Sequence, residues 1–98
     1  MTKLEKELEA KVVREIKELG GLCLKWTSPG SSGVPDRIII LPGGTIAFAE
    51  LKRPKGYRIE PLQRYWAEKL TGMGFKHYFI RTKSDVKQML WELAGARS

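Results

Sequence analysis

The chain of 98 residues has one cysteine, one histidine and no long apolar run, and each scarcity narrows what it can be. Cys23 alone cannot close an internal disulfide, which fits a reducing, cytoplasmic setting. One cysteine and one histidine also exclude a conventional zinc site within a single chain. Nothing approaches the roughly 20 consecutive apolar residues that span a bilayer. The opening MTKLEKELEAK is charged and helical in pattern, without the apolar core of a secretory leader. Acidic residues are few as well: 11 Asp and Glu against 18 Lys and Arg give a formal charge of +7, which favours an anionic partner, nucleic acid first. With 42% hydrophobic residues the chain can build one modest core, so a single domain over residues 1–98 is expected.

Residues 2–19 repeat apolar side chains at helical spacing (Leu4, Leu8, Val12, Ile16, Leu19), and Gly20-Gly21 ends the run. Glu9 falls at an edge of this stripe, with Glu5 one turn earlier near the same face. A carboxylate there is either a solvated group favoured by the helix dipole or one that reaches a site. LCLKWT at 22–27 is a short strand, in which Lys25 projects opposite to Leu24 and Trp26. The loop SPGSSGVP follows, and its backbone N–H groups and hydroxyls, Ser32 among them, could approach a phosphate. Glu60-Pro61 opens a second helix to about Thr71, with Leu62, Tyr65, Trp66, Lys69 and Leu70 on its buried side. FKHYFIR at 75–81 is a strand whose His77 reads as structural, and Ser84 is expected to cap a last helix through Ala94. The order is α-β-β-β-α-β-α, with a parallel crossover between the third and fourth strands.

The stretch GVPDRIIILPGGTIAFAELK, residues 33–52, concentrates the chemistry. A β-branched run, the turn Pro42-Gly43-Gly44 and a second run make a hairpin. If those three residues form the loop, Leu41 faces Thr45 and, counting back, Asp36 faces Glu50. Directly opposite residues share a face. Lys52, two residues beyond Glu50, points to the same side. Two carboxylates and an ammonium in one patch suit a hard divalent cation, Mg²⁺ or Mn²⁺, beside a reactive water. Asp36 and Glu50 would be ligands, with the Leu51 carbonyl as a third and Glu9 completing the set directly or through water. Lys52 would orient or deprotonate the water, or stabilise the transition state. Basic residues flank the patch: Lys25, Arg37 and the loop carrying Arg53, Lys55 and Arg58, in which Tyr57 could stack on a base or sugar.

Pro-Asp followed by Glu-x-Lys, with the helical Glu9, KWTSPGSSGVPDRIII, FAELK and the helix opening PLQRYW, resembles the virus-type replication-repair nuclease (VRR-NUC) domain of the PD-(D/E)xK superfamily, and covers nearly the whole chain. The resemblance implies a restriction-endonuclease-like α/β core, a mixed sheet flanked by helices, and an active-site set of Glu9, Asp36, Glu50 and Lys52, assisted by Gln63. Glu5 competes with Glu9 for the helical position. More distantly the chain is similar to archaeal Holliday-junction resolvases, which implies a homodimer acting on four-way DNA junctions from a phage or bacterial cytoplasm. Two other readings stay open. One is a monomeric nuclease of flaps or single-strand branches, and the other a non-catalytic nucleic-acid-binding module of the same fold. RNA as substrate is not excluded by the sequence.

Overall fold

Helix α1 (Lys3–Glu18) begins where Thr2 can cap it. The Thr2 hydroxyl accepts from the Glu5 N–H, and the Glu5 carboxylate accepts from the Thr2 N–H, both at 3.2 Å. At its other end Gly20 and Gly21 donate to the Lys17 and Ile16 carbonyls at 2.9 and 3.0 Å, which turns the chain into β1 (Leu22–Lys25). The computed structural model describes residues 1–95, so the last three residues of the expected 1–98 domain lie outside the described residues.

β2 (Arg37–Leu41) and β3 (Thr45–Leu51) form the expected hairpin with Leu41 opposite Thr45. Gly43 and Gly44 turn it at φ 92° and 87°, and the Gly44 N–H donates to the Leu41 carbonyl at 3.2 Å. Helix α2 (Pro61–Gly72) carries the chain over to β4 (Lys76–Ile80), which lies parallel to β3, and α3 (Lys83–Ala94) follows. The sheet is mixed and its order is β1-β2-β3-β4, with every strand beside its sequence neighbour.

The register divides the sheet into two faces. On one, Ile39, Leu41, Ala47, Ala49, Leu51 and Ile80 meet Leu8, Val12 and Ile16 of α1 and Val86 and Met89 of α3. Burying each large side chain of this set stabilises the fold by about 1.5–3 kcal/mol, so this is the main core. On the other face α2 covers only part of the sheet, through an aromatic cluster. Trp26 lies 5.6 Å from Phe48 and 5.9 Å from Trp66, and Phe75 meets Phe48 edge-on at 5.7 Å, measured between ring centroids. Leu22, Leu24 and Ile46 on this face stay exposed, beyond the reach of α2.

Three expectations are corrected. Thr82, not Ser84, caps α3: its hydroxyl accepts from the Asp85 N–H at 3.1 Å, and the Asp85 carboxylate accepts from the Thr82 and Arg81 N–H groups, leaving Ser84 inside the first turn. Leu62 and Tyr65 are about half exposed and Lys69 is exposed as well, because α2 turns Trp66, Ala67 and Leu70 towards the sheet instead. Leu4 and Leu19 are also exposed, each lying one turn beyond the buried Leu8–Val12–Ile16 row. His77, read from the sequence as structural, lies on β4. It packs 4.7 Å from the Phe79 ring, and burial lowers its pKa to about 4, so it stays neutral.

Candidate active site

The strand pairing that puts Arg37 opposite Ala49 carries on one residue to Asp36 and Glu50, and the two lock together through the backbone. The Asp36 N–H donates to Glu50 Oε1 at 3.2 Å, and Asp36 Oδ2 accepts from the Leu51 N–H at 2.8 Å. Each carboxylate is thus held by a main-chain donor on or beside the other residue's strand. Local sequence makes this possible: the hairpin fixes the register, and alternation along β3 sends Glu50 and Lys52 to one side. Glu50 is the one buried charged residue among the described residues, at 4% exposure.

Gln63 completes the arrangement from the first turn of α2. Its Nε2 donates to Glu50 Oε2, and its Oε1 accepts from Lys52 Nζ at 2.6 Å and from the Glu60 N–H at 3.0 Å. Lys52 Nζ stands 3.9 Å from Glu50 Oε2. The amide therefore spaces a carboxylate and an ammonium while fixing both. Alone, a glutamine in the first turn of a helix carries no such signal. Here the register of β3 against α2 creates it.

The electrostatics describe a site short of positive charge. Burial, then the neighbouring Asp36, push the Glu50 carboxyl from 4.5 up to about 7, against the opposing effects of Lys52, the Asp36 N–H and Gln63. Burial also raises Asp36, offset by the Leu51 N–H and further raised by the charge of Glu9. Two crowded, desolvated carboxylates on a hairpin fit a hard divalent cation, which takes one or two such ligands and keeps water for the rest. Asp36 and Glu50 would hold it. Among the described residues no three of His, Cys, Asp and Glu converge closely enough to share an ion.

Glu9, whose charge acts on Asp36, is paired with an arginine. Its Oε2 accepts from Arg37 Nε at 3.0 Å, and Arg37 Nη1 also donates to the Cys23 carbonyl at 3.1 Å, so helical carboxylate and strand guanidinium form a part-buried pair on the core side of the sheet. This pair commits Arg37 to α1 and to β1. Burial raises the Cys23 pKa, as an inert thiol requires. Glu5 instead lines an open cleft of about 430 Å³ together with Thr2, Lys52, Arg53, Tyr57 and Arg58.

The remaining basic residues divide by role. Lys25 is exposed and pairs in register with Arg37, hence on the face opposite Asp36 and Glu50. Lys55 and Arg58 are exposed in the loop after β3, where Arg58 lies 3.5 Å from Glu60. Arg53 bends back on its own loop, donating twice to the Gly56 carbonyl at 3.1 and 2.8 Å. The carbonyl of Ser32 accepts from Trp66 Nε1 at 3.1 Å, pinning the loop before Asp36 to α2. Sequence reasoning missed Arg81, whose guanidinium carbon sits 4.5 Å from the centre of the Tyr57 ring. A cation at the end of a strand gives no hint that it will back an aromatic ring 24 residues earlier.

Comparison with known proteins adds an independent line. No protein-family model matches the chain. "Putative nuclease p44" of Acyrthosiphon pisum secondary endosymbiont phage 1 is 40% identical over 86 residues, which are 88% of this chain and 90% of that protein. A solved structure described as "VRR_NUC domain" superposes with a TM-score of 0.77 at 29% identity, covering 88% of this chain and 94% of its own.

Proposed function

The chain belongs to the VRR-NUC domain family, and from that premise we propose that it is a metal-dependent, structure-selective DNA endonuclease, a Holliday-junction resolvase acting as a homodimer. The observation that carries the catalytic part is the Asp36–Glu50 pair, held face to face by reciprocal backbone bonds, with Lys52 and Gln63 at its edge.

The residues have distinct tasks in phosphodiester hydrolysis. A divalent cation, Mg²⁺ or Mn²⁺, bound by Asp36 and Glu50 with the Leu51 carbonyl as a further donor, would supply positive charge to the phosphoryl oxygens and acidity to a bound water. The Leu51 N–H holds the Asp36 carboxylate in a fixed orientation at 2.8 Å. Lys52 offers its ammonium to the charge that grows on the phosphoryl oxygens as water attacks. Gln63 keeps Lys52 from collapsing onto Glu50, since its amide oxygen takes one hydrogen bond from the lysine while its nitrogen donates to the acid. Glu9 supports the site through the Arg37 pair, which seats α1 against the start of β2, the residue after Asp36.

Supporting the choice of DNA is the +7 charge, together with the exposed Lys55 and Arg58 of the loop after β3, of which Arg58 lines a cleft with Lys52. Supporting a dimer is the exposed apolar strip of Leu22, Leu24 and Ile46 on the open face of the sheet.

The deciding experiment compares a synthetic four-way junction with a linear duplex of matching sequence, in Mg²⁺ or Mn²⁺ and in EDTA. The expected result is paired, symmetric nicks on the junction, abolished by EDTA and by Asp36→Asn, with junction binding by that variant retained. Cleavage of flaps or single strands but not of junctions would discard the resolvase, and binding without cleavage in either metal would discard the enzyme.

A further inference from the structure

Tyr57 stands out among the residues around the cleft. Its side chain belongs to the loop after β3 and is 41% exposed, yet it is held in place. The Arg81 guanidinium packs over the ring at 4.5 Å and is itself anchored, with Arg81 Nε 3.7 Å from Asp85 Oδ2 and the Arg81 N–H donating to the same oxygen at 2.8 Å. From the other side of the loop, the double hydrogen bond of Arg53 to the Gly56 carbonyl closes the chain just before Tyr57. An exposed aromatic fixed by two arginines presents a ring whose ordering cost is already met by the fold.

The cleft it lines is chemically lopsided. Lys52 and Arg58 stand on the loop and strand side, with Arg53 turned onto the Gly56 carbonyl, and Glu5, fastened to the Thr2 N–H, on the helix side. Cations beside an aromatic ring recognise a nucleotide: the ring takes the base, and the cations take its phosphate. A carboxylate across the cleft repels phosphate and accepts hydrogen bonds from amino groups on a base edge. A base inside a duplex cannot use the ring, because both its faces are already stacked.

We infer that this cleft holds an unpaired nucleotide next to the scissile phosphate, with Tyr57 as its stacking platform. Lys52 borders both the cleft and the carboxylate pair, so the nucleotide bound there directly adjoins the phosphate at Asp36 and Glu50. The inference rests on the nuclease reading for what happens at that phosphate, but not for the binding itself. It gives the selection of branched over continuous DNA a physical origin: at a branch point stacking is interrupted and pairs can open, which frees a base that a continuous duplex keeps stacked.

The test measures binding in EDTA of a duplex with a single-stranded arm and of the same duplex without it, by wild-type protein, Tyr57→Ala and Tyr57→Phe. The arm carries 2-aminopurine at successive positions from the branch. Tyr57→Ala should weaken binding of the armed DNA about 5- to 150-fold, the range expected for one base–aromatic stack, and leave the plain duplex unaffected. Tyr57→Phe should restore binding. Wild type and Tyr57→Phe should quench 2-aminopurine at the first unpaired positions, and Tyr57→Ala should not. Equal losses on both DNAs, no loss on either, or no quenching by wild type would overturn the inference. Incubating the armed DNA and a four-way junction with Mn²⁺ reads the catalytic assignment separately. Quenching on the armed DNA with cleavage of neither would sink the enzyme and leave the nucleotide cleft standing.

Discussion

Glu50 shows what a buried carboxylate costs the fold that carries it. Its folded pKa of about 7 lies above the ordinary 4.5, so the folded protein holds this proton more tightly than the unfolded chain does. Its contribution to stability is therefore greatest below pH 4.5, declines as the pH rises towards 7, and is flat beyond. Glu50→Gln should raise stability above pH 7 by about 1–3 kcal/mol and flatten the fall of Tm between pH 5 and 7.5, while abolishing cleavage. A variant with the wild-type pH profile of Tm would remove the charge from the account. At this scale much of the site was legible. Asp36, Glu50 and Lys52 follow from turn length and strand alternation alone, because those two rules fix which side chains share a face. Glu9 was legible as an edge-of-stripe acid but not its partner. That Arg37 would claim it depends on how α1 crosses the sheet, which periodicity does not encode.

Among the elements, the loop before Asp36 and the start of α2 act as one piece. Gly33 sits at φ +85°, and a Cβ there would lie 2.6 Å from the Leu62 Cβ and 2.7 Å from the Leu62 carbonyl carbon. The backbone conformation and the close approach each require glycine. Gly33→Ala should cost about 2–4 kcal/mol. It should also lower cleavage well below the Tm, because displacing Leu62 moves the adjacent Gln63 off Glu50 and Lys52. Unchanged cleavage at a lowered Tm would uncouple the loop from the site. The basic loop after β3 divides differently. Lys55→Ala and Arg58→Ala should each reduce the slope of log binding against log salt by about one, as loss of a phosphate contact does. Arg53→Ala should instead weaken the grip on Tyr57, since that arginine is spent on the Gly56 carbonyl. Equal slopes for all three variants and the wild type would take the loop out of the DNA interface. Element types and order could be read from the sequence because apolar periods of two and near 3.6 alternate cleanly along it. The α3 cap could have been read as well, since Thr82-x-x-Asp85 is a capping pair. The exposure of Leu62 and Tyr65 could not, because it depends on how little of the sheet α2 covers.

For the whole molecule, the unequal coverage of the two sheet faces matters most. Helices α1 and α3 close one side, and α2 leaves Leu22, Leu24 and Ile46 open on the other. A second copy laid over that strip would bury it and set two carboxylate pairs in a two-fold relation, as two nicks on one junction require. If two copies meet through this strip, as proposed, Leu24→Glu should leave a folded monomer, seen as a halved mass by analytical ultracentrifugation with an unchanged far-UV spectrum. An unchanged mass would place any interface elsewhere. The sheet order has a different consequence, for how the molecule forms. Because each strand lies beside its sequence neighbour, the β2–β3 hairpin can close through a loop of three residues before any distant contact exists, and short loops close first. The two like charges of the active site therefore meet early, on the way up the folding barrier. Their repulsion then retards folding more than it hastens unfolding. The part of the Glu50 penalty that comes from Asp36, smaller than the part from burial, should accordingly appear in the refolding arm of a chevron for Glu50→Gln, which makes the charge pairing of the finished site a brake on its own assembly.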